Sequence, residues 1–186
     1  TTRSKTKAEL QESDVLDNLN KGGTIYEADK KVVNNGFPVF KSSTTSSTDT
    51  WDGTTDTSWT GSGSKADPYI ITTGAQLAGL ASKVNGGESY SGKYFKLTAD
   101  INLGSKQWTP IGTDSNIFQG NFDGDGNTVS NLNINNTSST YVGLFGYMQF
   151  ATISNLNVSG NITACFSGGC AGGIVGNCNY GCTIEY

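Results

Sequence analysis

Val129-Ser130-Asn131-Leu132-Asn133-Ile134 returns 24 positions later as Ile153-Ser154-Asn155-Leu156-Asn157-Val158. A second element repeats beside it: Gly143-Leu144-Phe145-Gly146 is echoed 30 positions on by Gly173-Ile174-Val175-Gly176. Short alternating apolar segments that recur every ~20 to 30 residues, with Gly and Asn at the corners, are the pattern of a solenoid. Period-two alternation puts Val129, Leu132, Ile134, Ile153, Leu156 and Val158 on one interior face. A single unit cannot bury that stripe alone and needs stacked neighbours on both sides. The expected fold is therefore all-β, a parallel β-helix.

Composition supports the same class. Of 186 residues only 15% are charged and 25 are Gly, a turn-rich β composition unlike that of a helical bundle. The formal net charge is -4 and Lys and Arg form no cluster, which argues against a nucleic-acid partner. No stretch approaches the roughly 18 apolar residues of a membrane span, so the chain is not expected to be transmembrane. It begins at Thr1 without an initiator Met or signal peptide, the expectation being a processed or excised piece. There is no histidine, which removes Ser-His and Cys-His nucleophile pairs and every His-containing zinc site.

Working outward, residues 1–40 read as a small helix-plus-strand unit. Ser13 can cap a short helix from Asp14 to Asn20 that Gly22-Gly23 ends. Thr24-Ile25-Tyr26 and Lys31-Val32-Val33 read as extended. Asn34-Asn35-Gly36 is a turn, and Phe37-Pro38-Val39-Phe40 an edge strand, because Pro38 has no amide to donate. Residues 41–50 are almost all Ser and Thr and read as a linker. Residues 51–92 form the expected N-terminal cap of the β-helix. Within it, Thr73-Gly74-Ala75-Gln76 has capping-box spacing, with Gln76 reaching back to the Thr73 amide. The helix that follows carries Leu77, Leu80, Ala81 and Val84 on one face and is closed by Asn85-Gly86-Gly87. Residues 93–186 are the rungs. Phe95, Leu97, Ala99, Ile101 and Leu103 alternate as through one long strand, and Trp108, Ile111, Phe118 and Phe122 read as inward residues at successive corners.

Several ordered pieces carry a resemblance. They are Asp67-Pro68-Tyr69-Ile70-Ile71 with Gln76-Leu77-Ala78-Gly79-Leu80-Ala81, and the run Gly92-Lys93-Tyr94-Phe95-Lys96-Leu97-Thr98-Ala99-Asp100-Ile101-Asn102-Leu103. Trp108-Thr109-Pro110-Ile111-Gly112, Phe118-Gln119-Gly120-Asn121-Phe122-Asp123-Gly124 and the two Gly-x-x-Gly elements at Gly143, Gly146, Gly173 and Gly176 complete the set. Over roughly residues 51 to 186 the chain resembles the bacterial GLUG-motif proteins, extracellular right-handed β-helices of the pectate-lyase-like kind. The resemblance implies a right-handed solenoid in a secreted or cell-surface protein, often adhesin-like. It also implies that residues 7 to 40 match a segment which usually follows the last rung of a preceding solenoid. Here that segment comes first, and the chain stops at Thr183-Ile184-Glu185-Tyr186 in mid-rung. Two expectations follow: a piece of a longer tandem-repeat chain, or identical subunits joined end to end, residues 1–40 of one capping the next.

Candidate chemistry is sparse. Asp123-Gly124-Asp125-Gly126-Asn127 opens like a calcium loop, but Thr128 stands where Gly is needed and Ile134 where Glu is needed. A tight corner with φ > 0 at Gly or Asn and an Asp-capped turn is the expected account of it; no metal and no cofactor are expected. Asp100, Asp114, Asp123 and Asp125 with Lys93, Lys96 and Lys106 are the groups from which a polysaccharide lyase or hydrolase would have to be built, yet nothing in their spacing gathers them on one face. Cys165, Cys170, Cys178 and Cys182 form C-x4-C-x7-C-x3-C, which reads as two disulfides with three connectivities open, against free thiols or a metal. Trp51, Trp59, Trp108 and Tyr94 could offer stacking platforms for environmental or host glycans, but a plug at the end of the solenoid is the expected role of aromatics in this capping region. Asn135, Asn136, Asn157 and Asn161 begin glycosylation sequons. The expected function is that of a non-catalytic extracellular segment of a bacterial surface protein, an adhesin, a stalk or a self-assembling structure. A carbohydrate- or glycoprotein-binding module is the alternative.

Overall fold

A computed structural model describes residues 50–136, 140–164 and 169–186, together with Tyr26–Glu27 and Val39–Phe40. The chain divides into two compact units, Thr1–Thr44 and Thr45–Tyr186. In the first, β1 (Tyr26–Glu27) pairs antiparallel with β2 (Val39–Phe40), Tyr26 opposite Phe40. The expected helix from Asp14 to Asn20, the extended piece at Lys31 and residues 41–49 of the Ser/Thr linker lie outside the described residues.

The second unit is built almost wholly from parallel strands. A five-stranded sheet holds β3 (Tyr69–Ile71), β4 (Tyr94–Leu97), β6 (Asn121–Asp123), β10 (Thr152–Ser154) and β14 (Thr183–Glu185), in that spatial order. A second sheet holds β5 (Ile101–Asn102), β7 (Thr128–Asn136) and β11 (Asn157–Ala164). Two further parallel pairs join β8 (Tyr141–Val142) to β12 (Cys170–Ala171) and β9 (Phe145–Gln149) to β13 (Val175–Asn179). Strands paired side by side thus lie far apart in sequence: Phe122, Ile153 and Ile184 are successive partners 31 residues apart. Their alternation sends Phe95, Phe122 and Ile153 into one apolar core with Val129, Ile134, Phe145 and Leu156, all nearly inaccessible.

Of the two sequence repeats, one predicts the ladder and the other does not. Gly143-Leu144-Phe145-Gly146 and Gly173-Ile174-Val175-Gly176 stack directly, with Phe145 opposite Val175. The two hexapeptides do not stack. Val129 pairs with Val158 and Ile134 with Ile162, whereas Ile153 pairs with Phe122. The first copy lies wholly within β7, while the second crosses from β10 into β11. What the copies share is local: Asn131 and Asn155 are both left-handed, at φ 55 and φ 51, and the Leu after each turns into the core. Asn tolerates that conformation better than other side chains do, so the hexapeptide encodes a bend, used once inside a strand and once at a corner. Val158, expected inside, is half-buried.

The expected long strand from Phe95 to Leu103 is also corrected. All five apolar residues are buried, but the chain turns at Thr98–Asp100 and changes sheets, β4 going to one and β5 to the other. The Asp100 carboxylate holds that corner by accepting from the Thr128 amide at 2.8 Å. Alternation survives because a corner can preserve the inward phase without preserving the strand.

The one helix of the second unit's described residues, α1 (Gly74–Asn85), begins where the capping signal lies. Thr73 is extended and its hydroxyl accepts from the Gln76 amide at 3.2 Å. Gln76 does not return to Thr73, however. Its carbonyl oxygen accepts from the amide and hydroxyl of Thr72 at 2.9 and 3.0 Å, and its amide nitrogen donates to the Ser58 carbonyl at 2.9 Å. The side chain therefore ties the helix start to the 52–60 loop as well as capping it. Leu77, Leu80, Ala81 and Val84 are buried in the common core, and Gly86-Gly87 ends the helix. Gln76→Leu is expected to lower stability by roughly 1–2 kcal/mol in a denaturant titration, since three partners lose a hydrogen bond together.

Candidate functional site

Parallel pairing puts side chains of one phase in rows across the outer face of the five-stranded sheet. One row runs Tyr94, Asn121, Thr152, Thr183; the next runs Lys96, Asp123, Ser154, Glu185. Between them lies a groove of about 500 Å³, with Lys65 and Pro68 at one rim. Its walls are mixed polar and aromatic.

Two of the groove's charged side chains, Lys96 and Asp123, are committed to partners. Lys96 Nζ lies 3.0 Å from Asp125 Oδ1, an exposed pair of modest energetic value. Asp123 Oδ1 accepts from the Asp125 amide at 2.9 Å and from Asn155 Nδ2 at 3.0 Å. Asp125 and Gly126 are left-handed at φ 52 and φ 78. The calcium-like stretch is therefore a hydrogen-bonded corner whose carboxylates already hold an amide, an Asn and a Lys. No group of three Cys, Asp or Glu side chains is arranged to ligate a metal among the described residues.

The structure brings Lys96, Asp123 and Asp125 together, which the spacing alone did not indicate. It leaves the other charged candidates apart. Asp100 sits at the β4–β5 corner, and Asp114 lines a separate depression with Thr113 and Tyr141. Lys106 lies beside the 52–58 loop, where it helps to hold the Asp52 carboxyl low. In that loop Asp52 and Asp56 are held below the usual carboxylate range, chiefly by the hydroxyls of Thr54 and Ser58, and then by the amides of the same residues.

Of the candidate glycan platforms, Trp108 is fully buried; its Nε1 donates to the Leu144 carbonyl at 3.0 Å. Trp51 is buried against it, ring centroids 5.5 Å apart and edge to face, with Nε1 donating to the Thr54 carbonyl. Trp59 is half-buried among Tyr69, Tyr90 and Phe95. Three of the four rings thus pack against the core, and Tyr94 alone lines the open groove.

Tyr90, buried within that aromatic cluster, has its phenol pushed well above the ordinary value, first by burial and then by the neighbouring Glu88. A raised folded-state pKa means the unfolded chain releases its proton first. This contribution is complete below the unfolded value near pH ~10 and is lost as pH rises towards the folded value. Tyr90→Phe is expected to move the midpoint of alkaline unfolding to higher pH, monitored by circular dichroism.

Cys178 and Cys182 form a disulfide across Asn179-Tyr180-Gly181. Cys170 is exposed and unpaired among the described residues, and Cys165 lies outside them. One of the two expected bridges is thus seen among the described residues. Gly143 and Gly146 are packed against backbone of neighbouring strands, as is Gly176, while Gly173 has open space around its Cα. Of the sequon asparagines, Asn135 and Asn161 are exposed, and Asn157 Nδ2 donates to the Gly126 carbonyl at 3.2 Å.

The sequence reading missed Phe150 and Tyr180, after Tyr186 the most exposed aromatics among the described residues. They stand four residues after Gly146 and Gly176, in the frame of the repeat. That common offset was the available signal.

No helix of the described residues is long and apolar enough to cross a membrane. No family model matches the chain and no solved structure does, so the likeness to GLUG-motif proteins rests on the residues quoted above. Two curated relatives do match. One, from Evansella cellulosilytica, is named as a Gly-rich membrane protein and is 36% identical over 129 residues, 65% of this chain. The other, halomucin of Haloquadratum walsbyi, is 34% identical over 120 residues, 55% of this chain. The chain spans only 14% of the first relative's length and 1% of the second's, so it is similar to a small segment of two much longer proteins.

Proposed function

We propose that the chain is a non-catalytic segment of a long extracellular surface protein, in which the parallel ladders close into a right-handed β-helix of the GLUG kind and serve as a stiff spacer or stalk. The carrying observation is the register. Strands some 30 residues apart pair in parallel on several faces around one apolar core, which is what stacked rungs require. The names of the two relatives, a membrane protein and a mucin, support a place at the cell surface. Their length supports a chain whose immediate neighbours are further parts of the same polypeptide. A non-catalytic role is favoured by the carboxylates themselves: Asp100 and Asp123 accept from backbone amides and Asp125 is paired with Lys96.

Labelling of intact source cells with antibody against this chain tests the surface assignment; label appearing only after lysis would defeat it. Incubation with uronate-containing and neutral polysaccharides tests the absence of catalysis. Turnover that disappears in Asp123→Asn or Asp125→Asn would turn the groove into an active site.

A further inference from the structure

Phe150 and Tyr180 occupy equivalent stations on neighbouring rungs. Gln149 pairs with Asn179, each aromatic follows its partner by one residue, and the Phe150 amide donates to the Tyr180 carbonyl at 2.9 Å. Both are left-handed, at φ 49 and φ 46, and both are largely exposed, at 64% and 68%. Neither backbone nor burial explains this choice. Gly or Asn would occupy such a corner with less strain, and a bulky ring there gains little from leaving water. Strain kept without burial points to a use for the rings.

The corner is also built to hold them. The Cys178–Cys182 disulfide encloses Tyr180 within its loop. Gly181 makes room for the neighbouring ring, since a Cβ there would stand 3.0 Å from Phe150 Cδ1. Immediately before the corner runs a row of amides. Gln119 Nε2 donates to Gln149 Oε1 at 3.4 Å, Gln149 is opposite Asn179, and Asn179 Nδ2 donates to the Tyr147 hydroxyl at 2.9 Å. Residues 116–122, 147–152 and 177–183, which make this region, contain no Asp, Glu, Lys or Arg.

We propose that Phe150 and Tyr180, with the amide row of Gln119, Gln149 and Asn179, form a binding site for a neutral oligosaccharide. A pyranose ring has a flat C–H face that packs on an aromatic ring and a rim of hydroxyls that both donate and accept. An amide side chain offers both halves of that exchange. Adjacent strands lie about 4.8 Å apart, and the backbones of the two aromatics stand at that spacing, within reach of successive sugar units. Segments 116–122, 147–152 and 177–183 carry no charge, and the adjoining segment at Gln119 and Asn121 carries Glu88 and Lys93, of opposite sign, which favours a neutral glycan over an anionic one or a phosphate. The stalk reading neither requires nor excludes this site.

The test uses the intact 186-residue chain on an array of neutral and anionic glycans, followed by calorimetric titration of the best neutral ligand. The native chain is expected to retain neutral oligosaccharides. Phe150→Ala and Tyr180→Asn are each expected to weaken binding about tenfold or more. Thermal midpoints should stay within a few degrees of the native value, because both side chains are exposed and Asn suits the left-handed corner. Retention of no neutral glycan, retention of anionic glycans alone, or binding that survives both substitutions would overturn the proposal. So would loss of the fold in both variants, which would make the rings packing elements.

Discussion

Trp108→Ala is expected to cost about 3–5 kcal/mol, a large part of the stability of an ordinary domain. The indole is fully buried, so its removal leaves a cavity that surrounding backbone cannot easily fill. Two further losses add to the apolar one. The Leu144 carbonyl would lose one of its two donors, keeping the Ile111 amide, and Trp51 would lose its edge-to-face partner. Trp108→Phe should fall between, restoring ring area but not the hydrogen bond. Urea titration checks both: the midpoint should drop in the order Phe, then Ala, with the slope unchanged while unfolding remains two-state.

Gly143→Ala and Gly173→Ala are expected to act with opposite signs although they change the same letter of the same motif. A Cβ on Gly143 would stand 2.7 Å from the Gly172 carbonyl oxygen and 2.9 Å from the Gly176 amide, both backbone atoms of the adjoining rung. Backbone cannot step aside as a flexible side chain can, so a loss of roughly 1–3 kcal/mol is expected. A Cβ on Gly173 meets nothing within 4 Å, and its backbone is not left-handed. There the usual advantage of Ala over Gly, up to about 1 kcal/mol, should appear as added stability. Equal effects at both positions would mean that the two motifs do not stack as described. Melting curves of the two variants under one condition decide the matter.

The contrast explains what could be seen in the sequence and what could not. The Gly-x-x-Gly elements were legible as a ladder because close packing of strand on strand leaves no room for a side chain, a constraint tied to spatial repeat. The hexapeptides were misleading because Ser-Asn-Leu encodes a local bend, and a bend can serve inside β7 or between β10 and β11. Alternation from Phe95 to Leu103 reported which residues go inside but was blind to the corner at Thr98–Asp100, since a turn that keeps phase leaves the pattern intact. The helix and its buried stripe were readable from capping and periodicity; the diversion of Gln76 to Thr72 and Ser58 was not, because Ser58 lies 18 residues away.

The candidate sites fared according to how far chemistry depends on tertiary placement. Trp51, Trp59 and Trp108 share their residue type with sugar-binding platforms, and only the fold shows that they lean on the core. Phe150 and Tyr180 look like two more core aromatics until their left-handed backbone turns them outward. Lys96, Asp123 and Asp125 become neighbours because β4 and β6 pair across 27 residues, a distance that no local motif records.

The 31-residue offset between Phe122, Ile153 and Ile184 also fixes how this molecule would yield under force. Drawn out from one end, a polypeptide whose ladders close into the proposed β-helix has no reason to rupture all at once; it would peel one circuit at a time. Each circuit freed would release a contour length of roughly 100 Å, from about 3.3–3.6 Å per extended residue. Single-molecule stretching should therefore trace a staircase of nearly equal steps, each absorbing work before the next gives way. A tether of this design would lengthen under a sudden pull rather than let go.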